Sequence, residues 1–250
     1  MRMFSYLKLF RKACSCALMA TMTLILGSAA NANLVTIDDF SSGDLSAYTQ
    51  TVILDVNGGA SNGTVFSTVA GELAVNTTGF NAIEQTAFTR TDSPLGIGDT
   101  LLLDVDDNGN QDLGLYVGGT APVADLRNDY ITAFARTQSN ALFGSFFGTA
   151  EQSTVGFGTQ SAIASVFIRR TGDDDFEAGH VTVGGDEVTE ATFTDTGNDG
   201  SIIGIYTDIR GGGGLGEVDN LRVHLAAIPE PGSLAVLGLG AMLVGLRRRK

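Results

Sequence analysis

Residues 100–118 read TLLLDVDDNGNQDLGLYVG. Two runs of strand-forming residues, TLLLDV (100–105) and LGLYVG (113–118), flank a polar segment centred on Asn108-Gly109. Leu, Val and Tyr suit a pleated, half-buried surface, whereas Asn-Gly accepts the positive φ of a tight turn. The stretch therefore predicts strand, turn, strand, closed as a hairpin. Segments of the same kind recur along the chain: LVTID (34–38), TVILDV (51–56), TVFSTV (64–69), YITAFAR (130–136), ASVFIRR (164–170), HVTVG (180–184), ATFTD (191–195), SIIGIYTDI (201–209) and EVDNLRVHL (217–225). Gly, Asn and Asp clusters separate them, as turns require. Between the two ends no stretch sustains a 3.6-residue apolar period. About a dozen strands at this spacing predict an all-β fold, two antiparallel sheets packed as a jelly-roll-like sandwich. FGTAEQST (147–154) and FGTQSA (157–162) are alike, but one local echo does not make a repeat architecture.

The turn itself has a chemical reading. DVDDNGNQD (104–112) matches D-x-D-x-N-G through Asp104, Asp106, Asn108 and Gly109, with Asp112 at the ninth position of the count. Alternate oxygens can converge on one calcium ion when a glycine permits the sharp turn. The twelfth position, where a bidentate Glu belongs, is Leu115, and the flanks read as strands rather than helices, so this is not an EF-hand. Two readings stand: a calcium loop of lower affinity at a hairpin tip, or a plain polar turn.

The ends differ from the body. Arg2, Lys8, Arg11 and Lys12 precede an apolar stretch over 13–26, and small residues close with Ala30-Asn31-Ala32. That order predicts a secretory signal helix over 1–32, cleaved after the Ala30/Ala32 pattern, with the mature chain starting at Asn33. Both cysteines, Cys14 and Cys16, fall inside it, so the mature chain has no thiol for a disulfide, a nucleophile or a zinc site. At the other end, Pro229-Glu230-Pro231 precedes Gly232–Leu246, fifteen residues without a charge, and then Arg247, Arg248, Arg249 and Lys250. As a helix the uncharged run rises about 22 Å, short of a hydrocarbon core of about 30 Å, and snorkelling cations help to close the gap. The prolines separate the body from the span, and the cations hold its end on the cytoplasmic side.

This three-part tail, over 227–250, resembles the PEP-CTERM sorting signal of Gram-negative bacteria. The resemblance rests on Pro229, Glu230 and Pro231, the apolar run from Leu234 to Leu246, and the terminal Arg247, Arg248, Arg249 and Lys250. It implies export through the secretion machinery, anchoring in the inner membrane during transit, and processing near Pro-Glu-Pro by an exosortase, a membrane-embedded thiol transpeptidase. It further implies delivery to the cell surface or to an exopolysaccharide biofilm matrix. Pro229, Glu230 and Pro231 are then substrate residues for another enzyme.

The body, 33–226, suits one domain with a sizeable core. It contains seven arginines, no lysine and 27 acidic residues, a formal charge of −20. Such a surface excludes nucleic acid and anionic headgroups as partners, favours solubility, and attracts divalent cations. The first and last strand segments, VTIDDFSSGDLSAY (35–48) and GEVDNLRVHL (216–225), resemble the terminal strands of jelly-roll domains of the concanavalin-like and carbohydrate-binding kinds. That resemblance implies that the two lie side by side and that Asp38 or Asp39 faces Asp219 across a structural calcium. The plainer alternative is that Asp38-Asp39 caps a turn before Phe40 and Asp219-Asn220 opens a strand.

No HExxH, GxSxG or ExDxxE pattern is present, and Glu187 and Glu190 are three apart, on opposite faces of a strand. The body has two histidines, His180 and His224, each in a strand-like segment, and the chain has no Trp to form a sugar platform. Tyr48, Tyr116, Tyr130 and Tyr206 remain, although strand aromatics belong more often to a core. The sequence is thus read as a non-enzymatic, exported sandwich with a structural or adhesive role, with calcium as its candidate cofactor. The alternative is a carbohydrate-active enzyme or carbohydrate-binding module acting on exopolysaccharide.

Overall fold

The computed structural model describes residues 33–55, 64–77, 83–120, 130–138, 141–148, 152–158, 163–194, 197–210 and 214–226. The proposed signal helix and the proposed membrane-spanning helix lie outside these residues. Residues Asn33–Ala226 form one compact unit.

Fifteen strands and no helix are found among the described residues. In chain order they are β1 (Leu34–Asp38), β2 (Thr49–Asp55), β3 (Val65–Val69), β4 (Glu72–Asn76), β5 (Ile83–Arg90), β6 (Thr100–Asp107), β7 (Asp112–Gly118), β8 (Ile131–Gln138), β9 (Ala141–Phe147), β10 (Gln152–Gly158), β11 (Ile163–Arg170), β12 (Asp175–Thr182), β13 (Glu187–Thr194), β14 (Ile202–Arg210) and β15 (Leu215–His224). The first sheet runs β13-β12-β11-β6-β15-β4-β3, with β1 also paired to β15. The second runs β10-β9-β8-β7-β14-β5-β2. Every pairing is antiparallel. The all-β antiparallel sandwich read from the pattern is the fold observed.

Period-2 alternation explains how the layers close. Along β6, Leu101, Leu103 and Val105 point to the second sheet, and along β7, Leu113, Leu115 and Val117 point back. Ile203 and Ile205 of β14 and Val218 and Leu221 of β15 complete the centre of this core. At one end aromatic rings bridge the layers. Phe66 of β3 stacks on Phe88 of β5 at 4.4 Å, and Tyr48 lies on Phe88 at 4.3 Å.

The expected hairpin at 100–118 is not formed. The Asn108–Gln111 turn is present: the Gln111 N–H donates to the Asn108 carbonyl at 3.1 Å, and Gly109 and Asn110 both have positive φ, 61° and 59°. Yet β6 pairs with β11 and β15 in one sheet, while β7 pairs with β8 and β14 in the other. The turn is therefore an arch between layers. Gly109 is required by contact as well as by φ, since a Cβ there would meet the Gly216 nitrogen at 2.5 Å.

The terminal strands do lie side by side. β1 pairs with the second half of β15, from Leu34 opposite His224 to Asp38 opposite Leu221, while β4 pairs with the first half. A bulge at Asn220, whose φ is 46°, separates the two halves.

Candidate functional site

The candidate sorting and cleavage residues, Ala30, Ala32, Pro229, Glu230, Pro231, Arg247, Arg248 and Arg249, lie outside the described residues. The candidates within the body fall on three surfaces.

On the outer face of the first sheet, the alternation that sends Leu103 and Val105 inward sends Asp104 and Asp106 outward. Asp219 sits opposite Asp104, Glu217 lies two residues before it on β15, and Glu72 is on neighbouring β4. Asp104 is ion-paired with Arg222. Burial pushes its carboxyl above the usual value against the pull of that guanidinium. Asp106 is raised as well, first by partial burial and then by Asp219, Asp104 and Glu217. Glu72 is raised by desolvation and by Asp106, Glu217 and Asp219. Burial is the first cause of all three shifts, and repulsion between neighbouring acids adds to it at Asp106 and Glu72. A shallow groove of about 650 Å³ runs beside them, lined by Asp104, Asp106, Ile163, Ala164, Val183 and Arg222.

The calcium candidates do not converge. Asp104 and Asp106 share this outer face, but Asn108 is buried in the arch, where its Nδ2 donates to the Gln111 carbonyl at 2.7 Å. Asp112 begins β7 in the other sheet and pairs with Arg136 at 3.3 Å. The arch that carries the chain between layers is what separates these oxygens. Asp38 and Asp39 do not face Asp219 either. Asp38 accepts the Phe40 N–H at 2.8 Å and pairs with Arg90 at 3.4 Å, and Asp39 accepts the Ser41 N–H and hydroxyl. Asp219 accepts the Asn220 N–H at 2.7 Å and its Nδ2 at 2.6 Å, which holds the bulge. Among the described residues no group of three or more His, Cys, Asp or Glu is placed to hold a metal ion. The donor set thus does not fit a caged calcium.

The outer face of the second sheet carries a combination that the sequence reading did not assemble. Tyr116, Tyr130, Phe134 and Tyr206 form a cluster separate from the main core, with Phe134 5.3 Å from Tyr206 and Tyr116 edge-on to Tyr130 at 6.0 Å. Gly204 leaves room for the Tyr116 ring, and the Tyr116 hydroxyl bonds to Thr89. Burial raises the Tyr116 phenol well above its ordinary value. In line with these rings, Asp208 of β14 sits opposite Asp112 of β7. Asp208 accepts hydrogen bonds from the Tyr206 hydroxyl at 2.9 Å and from Gln85 Nε2 at 3.0 Å. All of these side chains are buried. The spacing Tyr206-x-Asp208 in a strand is the sequence signal that would have placed ring and carboxylate on one face.

Of the two histidines, His180 lies 3.3 Å from Glu190. Burial holds its imidazole below the usual value, with Glu190 opposing that shift. His224 ends β15, opposite Leu34 and Thr100.

This architecture is shared with known proteins. The chain is similar to the legume lectin-like domain from Entamoeba histolytica, with a TM-score of 0.51 at 9% identity over 74% of this chain and 92% of that one. It is also similar to an endo-1,3-beta-glucanase from Streptomyces sioyaensis (TM-score 0.47, 13% identity, 76% and 95% covered). A putative beta-glucanase from Mycobacterium abscessus is similar at a TM-score of 0.48, with 12% identity over 76% and 98% of the two chains. The first of these carries the fold assignment, a jelly-roll sandwich. Residues 227–250 match the PEP-CTERM protein-sorting motif, so this chain is a jelly-roll sandwich that carries an exosortase sorting motif. No curated protein matches the chain by sequence.

Proposed function

We propose that this chain is exported, processed by an exosortase near Pro229-Glu230-Pro231, and delivered to the cell surface or extracellular matrix of a Gram-negative bacterium, where the sandwich has a non-catalytic structural or adhesive role. The observation that carries this reading is the sorting motif at 227–250. The signal-like segment over 1–32 and the acidic, lysine-free body agree with it, since such a body stays soluble and dispersed after release. Calcium enters as a counter-ion to the acidic outer face of the first sheet, not as an ion caged by the 104–112 arch.

The test is mass spectrometry of washed surface material from cells with and without an exosortase. The expected product begins near Asn33 and ends near Pro-Glu-Pro, without Arg247–Lys250, and it is lost in the exosortase-deficient strain. Surface material that still ends in Arg247-Arg248-Arg249-Lys250, or protein confined to the cytosol, would overturn the reading.

One observation favours a second reading, a sandwich that binds or acts on carbohydrate: the fold is similar to that of a legume lectin-like domain. The rings on the outer face of the second sheet lie beside Asp208 and Asp112, but all of them are buried, so they offer a sugar no stacking platform beside those two carboxylates. Their present ties weigh against catalysis: Asp112 is held by Arg136, and Asp208 by Gln85 and Tyr206. A glycan array with a hydrolysis screen on the exported protein separates the two readings. Saturable binding would move the assignment to a carbohydrate-binding protein, and hydrolysis to an enzyme.

A further inference from the structure

The two side walls of the sandwich, where the sheets end, differ in chemistry. One wall ends in β13, whose sequence EVTEATFT places Glu187 and Glu190 on the edge. The other ends in β3, whose sequence VFSTV has neither charge nor proline. Among the described residues no strand pairs with the outer side of β3. Charge, proline and cover are the usual means by which a sheet edge is kept from pairing with another chain, and among the described residues β3 has none of the three.

Its exposed side chains are apolar. Phe66 points inward onto Phe88, so Val65, Ser67 and Val69 share the outward face. Val65 is 56% exposed and Val69 52%, and Val52 of the neighbouring edge strand β2 is 48% exposed. Three half-exposed valines on one wall stand out in a body of formal charge −20, which repels another copy of itself wherever acids face outward. β3 itself carries no charge, and Glu72 of β4, opposite Val69, is the acid beside it, so this edge is where a second copy can approach.

The pattern also selects the partner. Read outward, β3 is Val-x-Ser-x-Val, the same in both directions about Ser67. Antiparallel pairing with itself about a two-fold axis through Ser67 sets Val65 opposite Val69 of the second copy, twice, and Ser67 opposite Ser67. An isologous contact needs this self-complementarity. We propose that β3 is a self-association edge, through which two copies join their first sheets into one continuous antiparallel sheet. The paired valines then leave water, and the outward N–H and C=O groups of each β3 satisfy those of the other. This goes beyond the sorting route and does not depend on it.

The test uses the full-length chain with Cys14→Ser and Cys16→Ser, which leaves no other thiol. Under mild oxidation, Ser67→Cys is expected to give a disulfide-linked dimer on a non-reducing gel. Thr68→Cys, on the inward face, is expected to stay monomeric. In sedimentation at moderate salt, the unmodified chain is expected to show a monomer–dimer equilibrium, and Val65→Lys with Val69→Lys to weaken it at least about tenfold, with little change in melting temperature. The proposal is overturned if Ser67→Cys labels with maleimide yet stays monomeric, or if both cysteine variants cross-link equally. It is equally overturned if Ser67→Cys is captured by a different protein, or if the lysine pair sediments like the unmodified chain.

Discussion

Gln111 does at the level of one side chain what the arch does for the backbone. Its Nε2 donates to the Val75 carbonyl of β4 at 3.1 Å, and its Oε1 accepts the Thr207 hydroxyl of β14 at 2.7 Å. One buried amide thus links the two sheets. Gln111→Leu keeps the approximate volume but removes both bonds, leaving a carbonyl and a hydroxyl without these partners in a dry site. The expected loss is about 2–3 kcal/mol, read as a melting temperature lower by several degrees, with Gln111→Glu failing to restore it. Asp106 gives a prediction of opposite sign. Its carboxyl is raised in the fold by burial and by Asp219, Asp104 and Glu217. The contribution of a raised acid to stability is fully present below the unfolded value, near 3.8, and is lost as pH climbs through the folded value. At neutral pH the charged form is therefore a liability. Asp106→Asn is expected to stabilise the protein there by about 0.5 kcal/mol, an amount suited to a group so open to solvent. The gain should shrink toward zero as pH falls below the ordinary carboxylate range. A melting-temperature series against pH for both proteins checks the sign.

At the scale of an element, β15 is the strand that holds the first sheet together. It pairs with β6 along its length and with β4 and β1 in succession on its other side. The bulge at Asn220 lets one strand serve both neighbours. The residue adopts a φ of 46°, which Asn tolerates and β-branched residues do not, and Asp219 fixes it with two hydrogen bonds. Asn220→Gly is expected to change stability by less than about 0.5 kcal/mol, whereas Asn220→Val should cost about 1–2 kcal/mol, checked by chemical denaturation. The strands that were legible are those in which runs of β-branched and apolar residues lie between Gly, Asn and Asp clusters. All eleven segments read as strands overlap observed strands. Four strands were not legible. β5 carries Glu84-Gln85, a pair that reads as solvent-facing, yet both are buried. Glu84 accepts the Thr64 N–H and hydroxyl and the Thr86 hydroxyl, and Gln85 bonds Asp208. β4 is short, β9 is interrupted by Gly144-Ser145, and β10 carries two glycines and a serine, residues of weak strand preference. The calcium reading of 104–112 failed to assemble for a related reason. Asn108-Gly109 fixes a local turn, but which sheet each flanking strand joins is decided by β11, β15, β8 and β14, far away in sequence. The ring-and-carboxylate face of the second sheet was hidden likewise, because Asp112 and Asp208 meet only across β7 and β14.

Across the whole molecule, like-charge repulsion is a burden that the fold must tolerate. A formal −20 on a body of this size repels itself, and the acids on the outer face of the first sheet concentrate that repulsion. Monovalent salt should therefore stabilise the sandwich. The Debye length falls from about 30 Å at 0.01 M to about 8 Å at 0.15 M, so most long-range repulsion between exposed acids is screened over that interval. Divalent cations should act beyond ionic strength if the Asp104–Asp219 face collects them. The measurement is the melting temperature of the exported protein in calcium chloride, in sodium chloride at matched ionic strength, and in chelator. An additional rise in calcium, reduced in Asp106→Asn and retained in a charge-neutralising change on a distant acid such as Asp186→Asn, assigns the effect to that face. Asp104→Ala is a poorer probe, because it strands Arg222, its ion-pair partner, and lowers stability with or without the metal. Equal melting in calcium and in matched sodium chloride would show that the acids act only through net charge and would remove calcium from the account of this protein.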